Sequence, residues 1–359
     1  MSPEAAFKRF VVESWSLLSV AILITGWRTY FRISSIGIRK LDWDDYLVPL
    51  ALVFYAGETA LAFSVGNVAK GLANGGMTDI ERAALSPNNP EHQLRIIGSR
   101  IQIAGWTSYG FVLWLLKTSM LCYYIRLTSG LHKSYTSQTY FAFALLGSTF
   151  IALMATTFLS CRPFHKYWQI YPDPGNACQP AVATQIIWTN LALNAATDLY
   201  LMSIPVPILW KSGLKISQKI ASTLLFTSGI FVVVCSLLRG VLITVQDPIN
   251  GPQTAGAWGI RESFLATITT NLPVLFPHIK LLFKSHLRPI LFCTSPKSNH
   301  SVTLVDTIGG SDGHGGYRRH PVRSANPLPT RLTLTESVVE LMDRDVEIGV
   351  SKCISTASV

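Results

Sequence analysis

The sequence predicts an all-α membrane protein: a seven-transmembrane-helix bundle followed by a disordered C-terminal tail. Composition is the first ground: 359 residues are 49% hydrophobic and only 14% charged, with mean hydropathy +0.33. The second is seven apolar runs, each near the roughly 20 residues of helix that cross a bilayer. The third is where the charge sits. A net charge of +10 suggests nucleic acid in a soluble chain. Here Lys and Arg gather in loops beside the apolar runs, so no nucleic-acid partner is expected and the bilayer is.

Residues 1–13 are a short N-terminal segment and 14–289 the bundle. The predicted spans are 11–31, 46–66, 101–125, 139–160, 183–210, 220–245 and 258–283. The first ends in Trp27, Arg28 and Tyr30, an interface-like cluster. Lys8 and Arg9 precede it, but Gly26-Trp27-Arg28 lacks a small-residue cleavage site, so the run is expected to stay as a helix. Asp42, Asp44 and Asp45 precede the second span and suit a helix N-terminus, which favours anions. Residues 67–100 are too polar to cross. After 289 apolarity fades into a Ser-, Gly- and Pro-rich stretch, 290–359, read as a disordered cytoplasmic tail.

More Lys and Arg flank the spans on the side that carries the tail, including Arg39, Lys40, Arg126, Lys211, Lys215 and Lys284. That asymmetry puts the N-terminus outside and the C-terminus in the cytoplasm, in a plasma membrane or endomembrane. Lys8 and Arg9 point the other way.

The fifth span carries Asn190, Asn194 and Asp198 at i, i+4 and i+8, on one helix face. A carboxylate within the membrane almost never faces lipid, so this stripe should face the bundle interior. Lys117 in the third span lies at similar depth, and a Lys117–Asp198 pair is expected. Such a pair either locks two helices together or forms the charged wall of a site. Arg239 and Glu262 form a second potential pair, unless their side chains snorkel to water. Glu58, in the second span, is either neutral through desolvation or faces a wet cavity. Asn271 completes the polar set, which reads as a ligand-binding or structural polar core.

The six Cys show no zinc spacing, so no metal site is expected. Cys161 and Cys178 flank a short loop on the predicted oxidising side, where a disulfide would contribute about 3 kcal/mol. Cys122 and Cys235 lie inside spans and read as packing residues; Cys293 follows the last helix. No Gly-rich phosphate loop, HExxH or nucleophile elbow is present.

Several of these stretches recur together in one family. TYFRISSIGIRKLDWDDYL, WLLKTSMLCYYIRL, CRPFHKYW with a later Cys, TDLYLMSIPVPILW, and a last span from Glu262 to NLPVLFP resemble the fungal rhodopsin-like integral membrane domain. That family includes Pth-type receptor-like and satratoxin-cluster membrane proteins. The resemblance covers about residues 14–289 and implies seven transmembrane helices in an integral membrane protein. Ser64-Val65-Gly66-Asn67 stands where the family's Gly-x-Gly-x-His is expected. No cofactor is implied, retinal included. A Schiff base needs a Lys within the seventh helix, and Lys280 falls only in its last turns.

The expected function is receptor-like or accessory: a small unknown molecule bound within the bundle, with a cytosolic signalling protein as a further candidate partner. Tyr124-Ile125-Arg126, at the cytosolic end of the third span, loosely resembles the Asp-Arg-Tyr site of G-protein-coupled receptors. The alternative is a secondary-metabolite cluster protein, such as an intramembrane cyclase with Glu58 or Asp198 as general acid. A transporter is disfavoured because no internal repeat is visible.

Overall fold

The computed structural model describes residues 3–128, 133–204 and 251–291, with Ile230, Val234 and Leu237 between. Among these, seven α-helices and short 3-10 turns carry the structure, and no residue is in a strand. The helices are α1 (Pro3–Ile36), α2 (Trp43–Asn67), α3 (Asp79–Ala84), α4 (Pro90–Thr128), α5 (Lys133–Leu159), α6 (Thr184–Ser203) and α7 (Gly251–Leu291). By length and composition, α1, α2 and α5 qualify as membrane spans.

These seven helices are not the seven predicted spans. The short α3 belongs to residues 67–100, expected to form a polar connection. Apart from Ile230, Val234 and Leu237, the sixth predicted span lies outside the described residues, as do Arg239, Cys235, Cys293 and the tail from residue 292 onward.

Local chemistry sets the helix starts. Asp45 accepts the Asp42 N–H at 3.3 Å, opening α2. Thr78 and Glu81 form a reciprocal capping box on α3. Asn89 accepts the Glu91 N–H at 3.0 Å, and Pro90 takes the first position of α4, where its missing N–H costs nothing.

The apolar pattern is turned outward. Val12 and Leu23 on α1, Val53 on α2 and Ile151 on α5 are about 70% exposed. The faces turned inward carry Arg28, Glu58, Lys117, Asn194 and Glu262, all buried. Water would not tolerate that outer surface, whereas lipid does.

Helix α4 is the central element. One face meets α5 and α6 through Leu113, Trp114, Leu121, Leu146 and Leu201. The other meets α1, α2 and α7 through Val112, Leu116, Leu18, Tyr55 and Ile260. Lipid is as apolar as these side chains, so close packing and polar links must hold the helices. Gly110 brings α4 against α5: a Cβ there would sit 2.9 Å from Met154 Cε. The Trp114 indole donates to the Leu146 carbonyl at 3.1 Å, and Ser108 donates to the Phe54 carbonyl at 2.8 Å.

One end of the bundle is closed by a folded cap built from the polar segment after α2 and the loop between Cys161 and Cys178. Cys161 and Cys178 are disulfide-bonded, as expected. The buried Asn74 amide donates to the carbonyls of Tyr167 and Cys178, both at 3.0 Å. Arg82, 2% exposed, donates to the carbonyls of Asn74 at 2.7 Å and Ile170 at 3.1 Å. Segment 67–89 and the disulfide loop thus fold as one unit over the first turns of α4.

Candidate functional site

Helix α6 presents its polar stripe to the interior. Asn190, Asn194 and Thr197 are buried, and the Asp198 side chain is 13% exposed. Lys117 arrives from α4, and its ammonium lies 3.1 Å from Asp198 Oδ1. The same nitrogen donates to Asn194 Oδ1 at 2.5 Å, to the Asn194 carbonyl at 3.0 Å and to Thr197 Oγ1 at 2.8 Å. It also stands 5.2 Å from the centre of the Trp114 ring, within cation–π range. An ammonium has three N–H donors, so these acceptors share them.

Beyond Lys117 the polar contacts continue. The Asn194 amide donates to Glu262 Oε1 on α7 at 2.7 Å. The next residue, Ser263, donates to Glu58 Oε2 on α2 at 2.8 Å. Buried polar groups on α2, α4, α6 and α7 therefore form a near-continuous chain: Glu58, Ser263–Glu262, Asn194, Lys117, Asp198. Asn271 stands apart, donating to Thr25 Oγ1 of α1 at 3.1 Å. Asp198 Oδ2 and Asn190 Nδ2 are buried without a hydrogen-bond partner among the described residues.

Of the predicted site residues, Glu58, Lys117, Asn194, Asp198 and Glu262 are thus brought together. Asn190 shares the α6 face, and Asn271 holds α7 to α1. Arg239 lies outside the described residues. Glu262 is fully buried and bonded to Asn194, so it does not snorkel to water.

Glu58 also lines a cavity of about 90 Å³ between α1, α2, α4 and α7, below the cap. A single water needs about 10–15 Å³ on this measure, so the space holds several waters or part of an organic molecule. Phe7, Phe10, Trp106 and Tyr109 supply aromatic walls, and Ala181, between the disulfide loop and α6, closes the cap side. The Trp106 indole donates to the Pro180 carbonyl at 2.9 Å, fixing the cap to α4 at the cavity.

Sequence reasoning missed Thr197 and Ser263, although each adjoins a residue it singled out. It also missed an ionic cluster at the other end of the bundle. Arg28 is 2.8 Å from Asp44, Arg32 is 2.9 Å from Asp45, and Arg126 is 3.1 Å from both Asp42 and Asp44. In the sequence Arg28 reads as part of an interface cluster and Arg126 as a residue at the cytosolic end of the third span, with no partner suggested for either. Arg28 and Arg32 are i and i+4 on α1, which could have flagged one shared inward face. The aspartates do more than cap α2: they bind three arginines from α1 and α4.

A family model described as the fungal rhodopsin domain matches residues 27–281. The chain is 26% identical over 335 residues to a protein of a polyenoic acids biosynthesis gene cluster in Metarhizium anisopliae, covering 92% of this chain and 84% of the relative. It is 24% identical over 177 residues to a SAT4 family membrane protein of Emericella nidulans, covering 47% of this chain and 44% of that one. No solved structure matches it. The matched residues run from the end of α1 through the body of α7 and take in the polar chain, the cap and all of the cavity lining except Phe7 and Phe10. The chain belongs to the fungal rhodopsin domain family.

Proposed function

We propose that the protein is a seven-span integral membrane protein, receptor-like or accessory, that binds a small molecule within its bundle. The bundle comprises residues 14–289, with the N-terminus outside and residues 290–359 as a cytoplasmic tail. The observation that carries this reading is the buried polar chain from Asp198 and Lys117 to Glu58, ending at a cavity. Ionisable groups inside a membrane bundle are functional candidates because burying them is expensive. A purely structural pair would be expected to satisfy its buried oxygens and amides, whereas Asp198 Oδ2 and Asn190 Nδ2 find no partner among the described residues. The ligand is not retinal on this reading. Among the α7 side chains described, which stop before Lys280, the buried ones include Glu262, Ser263, Thr267 and Asn271, and none is a lysine.

A second reading is a role in secondary metabolism, favoured by the Metarhizium relative from a polyenoic acids cluster. A carboxyl group at a largely apolar cavity is also what an intramembrane general acid requires, and Glu58 occupies that position.

The test is complementation of a deletion strain with Lys117→Met, Asp198→Leu and the double substitution. Each single change strands a buried partner and should lower protein abundance; the double change should restore much of it. If the pair belongs to the site, the double variant accumulates yet fails to complement. Full complementation would leave the pair as a helix lock and move the site to Glu58. Metabolite profiling of the same strains separates the two readings.

A further inference from the structure

The ionic cluster at the end of the bundle opposite the cap leaves two basic residues over. Its three arginines meet its three aspartates. Arg39 and Lys40 follow on the turn between α1 and α2, exposed and without an ion pair among the described residues. Gly37, at φ +77°, turns the chain out of α1 in a conformation that favours glycine. The Lys40 N–H donates to the Gly37 carbonyl at 3.2 Å, so one 3-10 turn sets the two basic residues side by side.

Large apolar side chains surround that turn. Tyr30, Ile38, Trp43 and Tyr46 are 55–77% exposed. Trp and Tyr gather where hydrocarbon meets headgroups, so these rings mark the membrane boundary. Arg32 bonds Asp42 and Asp45, which sets it level with Trp43 at the start of α2. From Arg32 to the end of α1 at Ile36 is about 6 Å of helix, and the headgroup layer is roughly 5–7 Å deep on each side. The turn therefore emerges at the level of the lipid phosphates. Ile38 gives it an apolar foot there, and the long stems of Arg39 and Lys40 let their charges reach the headgroups.

We propose that the α1–α2 turn binds the headgroup of an anionic phospholipid. Arg39 and Lys40 hold the phosphate, the first through a planar fork of donors and the second as a point charge. Trp43 and Ile38 seat the turn against the apolar part of the same lipid. With the N-terminus outside, this is the cytoplasmic leaflet, whose anionic lipids attract basic residues beside a span. The inference rests on the membrane reading above and is independent of ligand binding within the bundle.

The experiment uses the full chain purified in a neutral detergent. Lipid adducts are counted by native mass spectrometry after addition of dioleoyl phosphatidylserine or dioleoyl phosphatidylcholine. The anionic lipid should bind more tightly. Arg39→Gln and Lys40→Gln should each weaken it about fivefold and together about thirtyfold, at roughly 1 kcal/mol for each basic residue at an anionic surface. Phosphatidylcholine binding and the thermal midpoint should not move, because both side chains are exposed. Trp43→Ser should weaken both lipids alike. Lys8→Gln with Arg9→Gln is the control, removing the same charge at the other end of α1. There Glu4 and Glu13 stand one helical turn away, so binding of the anionic lipid should be unchanged. Equal affinity for the two lipids, unchanged binding after the Arg39 and Lys40 double substitution, or an equal loss from the control would each overturn the site. Full displacement of the lipid by millimolar glycerol phosphate would overturn it too, by showing a site for a soluble anion. Release of the chain from membranes by alkaline carbonate without detergent would instead overturn the membrane reading, and this site with it.

Discussion

Arg28 and Asp44 hold each other inside the bundle at 2.8 Å, with side chains that expose only 2% and 1% of their surface. The same guanidinium donates to the Thr270 carbonyl at 3.0 Å, so one side chain ties α1 to both α2 and α7. Asp44 also receives Arg126 from α4 at 3.1 Å. Removing one partner of a buried pair leaves the other charge without compensation, at a cost of about 3–5 kcal/mol. Arg28→Met and Asp44→Asn should therefore sharply lower the thermal midpoint of the detergent-purified protein. Arg126→Met should cost clearly less, because its side chain is 30% exposed and water can replace the lost contact. Equal losses at all three positions would mean that burial does not set the hierarchy of this cluster.

A second prediction concerns the cap. A Cβ on Gly98 would fall 1.9 Å from the Leu72 carbonyl oxygen, a backbone atom that cannot swing aside. Gly98→Ala should push segment 67–89 off α4 and destabilise by about 1–3 kcal/mol, the usual cost of overpacking. Gly26→Ala is the control, since a Cβ there meets nothing within 4 Å. Its helix propensity should make it neutral or slightly stabilising. Proteolysis at residues 67–89, compared between the two variants, reads out the difference.

The disulfide gives a third. Cys161 and Cys178 are 17 positions apart, and their bond anchors the chain just before Pro180 and Ala181, which meet Trp106 and the cavity. Loop-closure entropy puts its contribution at about 3 kcal/mol. Reductant, or Cys161→Ser with Cys178→Ser, should lower the thermal midpoint and loosen the Trp106–Pro180 contact, seen as a change in tryptophan fluorescence. In native membranes both thiols should resist alkylation until reductant is added; free labelling without it would contradict the bond.

What the sequence made legible follows from physical cost. A carboxylate or ammonium within an apolar run is so expensive that Asp198, Lys117 and Glu58 announced themselves, and the i, i+4, i+8 stripe gave α6 its inward face. The disulfide was legible from two Cys flanking one short loop. Partner choice was harder, because depth along a helix does not specify rotation. Glu262 was set against Arg239, which lies outside the described residues, and its bond from Asn194 was not foreseen. The ionic cluster stayed hidden because Arg28 and Arg32 at the end of an apolar run look like interface charges, whatever they meet. The cap was least visible. Asn74 and Arg82 bond almost wholly to backbone carbonyls, and a carbonyl leaves no mark in the sequence.

The last prediction fixes the orientation, which the excess of Lys and Arg on the side carrying the tail motivates. With the N-terminus outside, the cap is luminal or extracellular and the tail is cytosolic. The sequon at Asn299, outside the described residues, should then remain unmodified, because glycosylation occurs on the opposite side. A sequon in the cap should be modified, and one substitution supplies it: Pro90→Thr completes the pattern on Asn88. Asn88 is exposed between α3 and α4, and threonine is tolerated at the first position of a helix whose cap, Asn89, is unchanged. A mobility shift on Asn88, removed by an endoglycosidase and absent from the parent chain, is the expected result. Glycan on Asn299 with none on Asn88 would reverse the topology. It would also place the disulfide loop on the cytosolic side, where a reducing environment works against the Cys161–Cys178 bond. Glycan mapping and the alkylation experiment must therefore agree, and a conflict between them would show that the cap and the tail do not lie on opposite sides of the membrane.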